Sequence, residues 1–204
     1  MAPQKDLKEE IKKLMEIKGG TRGSVLKTDA LYVLSKEGES GLKKVEELAK
    51  ELDCPLNYNQ FKTMEWYPVG LRAISLILIQ KVFGWGDAEI SKMGNEAPKH
   101  SFISKMLMKY FLSAERSFIE SPKYWVKHYN IGRLESVEFN EREKYTILRL
   151  YEFEVHPILC TYFFENGYFL RIAQYGIKSD KIFSKETKCI FRGDPYHECL
   201  IRWE

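Results

Sequence analysis

HPILCTYFFENGYFLRIAQYGIKSDKIFSKETKCIFRGDPYHECLIRW, running from His156 to Trp203, decides the fold class of this chain. Pro157 to Gln174 carries apolar residues at helical spacing. Lys181 to Phe191 and Tyr196 to Trp203 instead read as strands. Gly193-Asp194-Pro195 between them is turn chemistry, so the pair reads as a β-hairpin. Just upstream, Glu135 to Phe139 and Tyr145 to Phe153 alternate around Asn140-Glu141-Arg142-Glu143, which makes a second hairpin.

Everything before the first hairpin is helical in pattern. Lys5 to Ile17 places Leu7, Ile11, Leu14 and Met15 on one face, and Gly19-Gly20 ends it. Helices are predicted from about Ser24 to Ser35 and from Gly41 to Leu52, with Gly38 between them. Asp53 to Asn59 is a loop. Val69 to Phe83 is apolar on all sides and should lie in the middle of the fold. Asp87 is a candidate N-cap for a helix reaching Met93. Ser101 to Leu112 is a further helix, with Ile103, Met106, Leu107, Tyr110 and Phe111 on one stripe. Ser121-Pro122 opens a short segment through Trp125 and Tyr129. Helices first, then strand–strand–helix–strand–strand, predicts an α+β fold. An N-terminal helical part should pack on a small antiparallel sheet, made of two hairpins flanking a helix.

Composition bounds the function. The chain has 204 residues, 44% hydrophobic and 14% aromatic, enough for one packed domain and too apolar for disorder. Its 32 basic and 29 acidic residues are interspersed and leave a net charge of +3. No basic stripe marks a nucleic-acid partner. The N-terminal MAPQKDLKEEIKK is charged and carries no apolar signal core, so a cytoplasmic location is expected. Val69 to Phe83 is shorter than the roughly 20 residues that a membrane-spanning helix needs, so no transmembrane segment is expected. Four cysteines in such a chain favour thiols or metal ligands over structural disulfides.

Cysteine spacing supplies the chemistry. Glu186 and Cys189 lie three apart near a strand, and His197 lies across the turn that Gly193 and Pro195 allow. A hairpin brings these positions together, and Cys160 reaches them if its helix packs on the hairpin. One carboxylate, one imidazole and two thiolates suit tetrahedral zinc better than magnesium or calcium. Cys160 and Cys199 fit equally as buried core thiols.

The same stretch resembles the end of the 4-vinyl reductase domain. That pattern is a helix with Cys and Gly, then Glu-x-x-Cys, then Gly-Asp-x-x-Cys, and a closing strand ending in Trp. Cys160, Gly167, Glu186, Cys189, Gly193, Asp194 and Trp203 match it. Glu65-Trp66-Tyr67-Pro68, Ser121-Pro122-Lys-Tyr-Trp125 and Tyr129-Asn-Ile-Gly132-Arg133 extend the likeness upstream. Relatives in that superfamily include sensor domains for phenol-like effectors, haem-based nitric-oxide sensors and subunits of the TRAPP vesicle-tethering complex. The resemblance implies residues 1–23 as an N-terminal helical extension and 24–204 as the ligand-binding domain. It also implies a structural zinc on Cys160, Glu186, Cys189 and the position of His197, where the family usually has Cys. Cys199 is the substitute if the hairpin register differs.

For the ligand, the aromatic-rich helices offer Met106, Tyr110, Trp125, Tyr129, Phe163 and Tyr168. Pockets for small molecules are mostly apolar with few polar anchors. The resemblance points to Trp125 and Tyr129, whose N–H and O–H are expected to orient a polar group on the ligand. His100 is read as a capping or surface residue, and His128 and His156 as structural. The Tyr-x-Ser-x-Arg motif of the haem sensors is not found, so haem is not expected. No acid–base or nucleophile set emerges, and Gly19-Gly20-Thr-Arg-Gly23 lacks the Lys-Ser/Thr of a phosphate-binding loop. The expected function is non-catalytic sensing of a small apolar or aromatic molecule, read out by a homodimer or a separate signalling partner. A TRAPP-like assembly subunit is the alternative, and a haem gas sensor stands third.

Overall fold

The computed structural model describes the backbone of residues 2–101 and 113–204, with side chains from residue 5 onward. The chain runs α1 (Ala2–Met15), β1 (Gly20–Arg22), α2 (Gly23–Glu51), β2 (Trp66–Pro68), α3 (Gly70–Phe83), α4 (Asp87–His100) and α5 (Ala114–His128). Then come β3 (Arg133–Asn140), β4 (Tyr145–Tyr151), α6 (Ile158–Phe163), α7 (Tyr168–Gly176), β5 (Ile182–Lys188) and β6 (His197–Trp203). The fold is α+β. A four-stranded antiparallel sheet has the order β3-β4-β6-β5, so the two hairpins join through β4 and β6. A second, two-stranded sheet pairs β1 with β2. Strands of three residues carry no readable alternation, and the sequence does not predict them.

The sheet buries one face. Along β4, Thr146, Leu148 and Leu150 are buried, while Tyr145, Ile147, Arg149 and Tyr151 are only partly so. On β6, His197, Cys199 and Ile201 continue that inner face.

α3 sits in the middle, as its apolar sequence requires, and it also carries Arg72 and Ser75 into the core. Both bind Asp29 of α2. Arg72 Nη1 forms an ion pair with Asp29 Oδ2, and Ser75 Oγ donates to the same oxygen at 2.8 Å. The Arg72 guanidinium also lies over the Tyr162 ring at 4.2 Å. α1 packs on α3 with Leu7, Ile11 and Leu14 buried.

Several helix boundaries differ from the sequence expectation. At Gly38, by contrast, the expectation holds: α2 is two helical segments meeting at a kink there, with Gly38 non-helical at φ +67°. α4 starts at Asp87 behind Gly86 and passes Met93 to end at His100. Ser121-Pro122 lies inside α5, which starts seven residues earlier, just after its N-cap Ser113. Proline removes the N–H that would bond Phe118 O, and Ser121 Oγ donates to that carbonyl at 2.8 Å instead. The single helical stretch from Pro157 to Gln174 is two helices. Asn166 takes a left-handed φ of +54°, and a Cβ at Gly167 would fall 2.0 Å from Tyr162 O. The expected helix from Ser101 to Leu112 lies outside the described residues.

Candidate functional site

The fold gathers Cys160, Glu186, Cys189 and His197 into one buried cluster. Their ligand atoms all lie within 4.8 Å of one another. α6 supplies Cys160, β5 supplies Glu186, the residue just after β5 is Cys189, and His197 opens β6. Cys160 Sγ is 3.8 Å from Cys189 Sγ and 3.7 Å from His197 Nδ1. His197 Nδ1 is 2.9 Å from Glu186 Oε1. The turn that allows this is held by Cys189 N donating to Asp194 Oδ2 at 2.8 Å, with Gly193 left-handed at φ +92°. Cys199 stays in the core, cross-strand from Glu186 and outside the four-residue cluster.

Each donor is oriented from behind. His197 Nε2 lies 3.2 Å from Phe153 O, a contact that needs an N–H there. A neutral ring then turns a bare Nδ1 toward the cluster. The Phe164 ring stacks on the imidazole at 5.6 Å. Arg192 Nη1 lies 3.5 Å from the other Glu186 oxygen. Burial, then the neighbouring Glu186 and Cys189, push the Cys160 thiol up, and burial raises Cys189 as well. Crowded acidic groups and a bare ring nitrogen oppose one another, and a divalent cation between them would relieve that opposition.

Trp125, Tyr129, Phe163 and Tyr168 line one cavity of about 70 Å³, between α2, α4, α5, the α6–α7 pair and the sheet. Trp125 stacks on Tyr129 at 4.5 Å, and Phe163 meets the indole at 5.5 Å. Of the two expected polar handles, the Trp125 N–H is engaged by the protein itself. Trp125 Nε1 donates to Ile131 O at 3.0 Å, and the buried Tyr129 hydroxyl lies in the electrostatic neighbourhood of Arg72 and Asp29. Met106 and Tyr110 lie outside the described residues.

The cavity has a further member that the sequence reading set aside as structural. His128, at the end of α5, lines the wall and is buried. Its Nδ1 has no hydrogen-bond partner among the described residues. Burial, then the nearby Arg22 and Lys127, hold its pKa down to about 4. Phe118, Ser121, Trp125 and His128 recur at spacings of 3, 4 and 3, a helical stripe that was legible in the sequence. The remaining histidines differ. His156 contacts Glu10 at 3.1 Å and accepts from Ile158 N, and His100 is the half-buried last residue of α4.

No protein-family profile and no curated protein sequence matches the chain. Solved structures do. An H-NOX protein from S. oneidensis in the Fe(II)NO ligation state is similar with a TM-score of 0.68 at 11% identity. That match covers 90% of this chain and 99% of the other. A triple mutant of an H-NOX protein from the same source, in the Fe(II) ligation state, gives 0.67 at 11% identity, covering 90% and 96%. At such identity the likeness is one of fold. The 4-vinyl reductase and TRAPP likenesses rest on the sequence motif alone. No helix among the described residues is long and apolar enough to cross a membrane.

Proposed function

We propose that this chain is a sensor domain with two linked sites. A small apolar molecule occupies the cavity around Trp125, Tyr129, Phe163 and Tyr168. A structural zinc on Cys160, Glu186, Cys189 and His197 ties the β5–β6 hairpin to α6. Residues 24–204 carry both sites, with 1–23 as an N-terminal extension, and the output passes through a homodimer contact or a separate protein. The observation that carries this reading is the sharing of α6. Cys160 and Phe163 are one helical turn apart, the first in the metal cluster and the second in the cavity wall. Phe164, next along, stacks on His197. A molecule that displaces Phe163 therefore pulls on the metal cluster, which gives the differential contact a sensor needs. Two thiolates, an imidazole and a carboxylate are a zinc donor set, and the net −1 of such a site faces Arg192.

Native mass spectrometry of the full chain, purified with zinc supplied, tests this. One zinc per chain and a retained small molecule are expected. A metal-free protein overturns the zinc assignment.

Haem is the second reading, favoured by neighbours solved in Fe(II) and Fe(II)NO states. The sequence set haem aside for want of Tyr-x-Ser-x-Arg, and the fold likeness runs the other way. Tyr129-Asn-Ile-Gly-Arg133 keeps the outer two residues of that motif, with Ile131 between them. Among the described residues lining the cavity there is one imidazole, His128, and no basic side chain to pair with propionates. An absorption spectrum of the protein expressed with haem supplied decides it: a Soret band that persists through gel filtration establishes haem, and its absence removes this reading.

A further inference from the structure

We infer that His128 is the polar anchor of the cavity, and that the molecule bound there carries a hydroxyl group on an otherwise apolar, uncharged body. The inference rests on the cavity reading above and narrows its ligand. Buried polar atoms in folded proteins are almost always hydrogen-bonded, so an orphan among them asks for an explanation. Among the described residues His128 Nδ1 is such an orphan, on a side chain with 8% exposure, in the wall of the cavity. Several polar groups beside it are already engaged. Trp125 Nε1 donates to Ile131 O, Ser121 Oγ to Phe118 O and Thr28 Oγ1 to Ser24 O. Ser101, Tyr124 and Tyr168 have partners too.

The chemistry of an imidazole nitrogen then selects the ligand group. Nδ1 donates in one neutral tautomer and accepts in the other. A hydroxyl can do either, so it satisfies both, whereas a carbonyl or ether satisfies one. Charge is disfavoured on two grounds. Among the described residues no charged side chain lines the cavity apart from what His128 itself could carry, so an ion would lose its water without a partner there. Arg22 and Lys127 lie near His128 and repel a cation, and burial opposes the imidazolium that an anion would require. Trp125, Tyr129 and Phe163 supply the apolar remainder of the site.

The test uses matched pairs in which a hydroxyl is replaced by a methyl group: 2-butanol with 2-methylbutane, cyclohexanol with methylcyclohexane, and phenol with toluene. Binding to the wild-type full chain is measured by titration calorimetry, and the His128 ring nitrogens are followed by long-range proton–nitrogen correlation. We expect at least one hydroxyl compound to bind tenfold or more tightly than its methyl partner and to shift the His128 Nδ1 resonance. In His128→Leu that preference should fall to within twofold. His128→Asn, whose side chain keeps a hydrogen-bonding group near the Nδ1 position, should retain part of it. Equal binding of the two members of every pair overturns the anchor and leaves the cavity reading standing; an ordered water on Nδ1 would give that result. A preference without any shift of the His128 resonance also overturns the anchor. If no member of any pair binds, the cavity reading and the anchor both fall. The wild-type titration needs no variant, so misfolding of His128→Leu does not protect the inference.

Discussion

At the scale of single residues, His128 and His197 show how position decides what one side chain does. His197 has its Nε2 against Phe153 O, which places Nδ1 in the cluster, 2.9 Å from Glu186 Oε1. His128 has an Nδ1 without a partner among the described residues and a pKa held at about 4 against its ordinary 6.5. A histidine held neutral by the fold contributes stability that is complete above the unfolded pKa. That contribution is lost as pH falls through the window from 6.5 to about 4. A shift of that size corresponds to about 3 kcal/mol at roughly 1.4 kcal/mol per unit. Asp29 works the other way. Burial outweighs Arg72 and pushes its carboxyl up to about 6, so its cost to the fold is relieved as pH falls from about 6 toward 3.8. The acid response of the wild type is therefore a sum of opposing parts, and a variant is needed to separate them. His128→Leu should gain on the wild type by about 3 kcal/mol between pH 7 and pH 4, read from urea unfolding at both pH values. A gap of equal size at both would show that the fold does not hold the imidazole neutral. The role of His128 could not be read from spacing alone, because a missing partner is a property of the surroundings.

Elements are positioned by two contacts that local sequence does not announce. The first is the crossing of α4 and α6 around one carbonyl. A Cβ at Gly94 would fall 2.0 Å from Tyr162 O, as it would at Gly167. Helix propensity favours alanine over glycine inside α4 by about 1 kcal/mol. Overpacking against backbone works against it by about 1–3 kcal/mol and more when nothing can give way. Gly94→Ala should therefore destabilise the protein, with a lower urea midpoint; a midpoint raised by the substitution would mean the two helices are not so close. The second contact is the Asp29–Arg72 pair that clasps α2 to α3, with both side chains fully buried. Removing one partner leaves an uncompensated charge in the core. Arg72→Leu should cost about 3–5 kcal/mol, and adding Asp29→Leu should recover part of that loss. A double variant no more stable than Arg72→Leu would show that packing, not the stranded charge, sets the cost. The apolar run from Val69 to Phe83 was legible as a central helix. That Arg72 within it is a core residue was not, because its partner lies 43 positions away on another helix.

For the molecule as a whole, the two sites predict different responses to what is bound. Zinc stabilises only the folded state if its donors come together only there. At free zinc about 1,000-fold above the dissociation constant the gain is about 4 kcal/mol. EDTA should therefore lower the urea midpoint of the wild type and leave that of Cys189→Ala unmoved; a wild type indifferent to both zinc and chelator holds no such ion. The sequence by itself determined the α+β class, the two hairpins and the central apolar helix, and it offered Cys160, Glu186, Cys189 and His197, with Cys199 as substitute, as candidates for one cluster. Those features rest on local period, turn chemistry and short spacing, all of which survive in one dimension. Tertiary structure alone decided the rest. It paired β1 with β2 and joined the hairpins through β4 and β6. It carried α5 through Pro122, because Ser121 fills the hydrogen bond that proline vacates. It chose His197 over Cys199, which lies on the same face of β6, through the register of β5 on β6. It also left His128 facing a cavity with nothing to bind, since burial and the lack of a partner arise only when distant segments close around a residue.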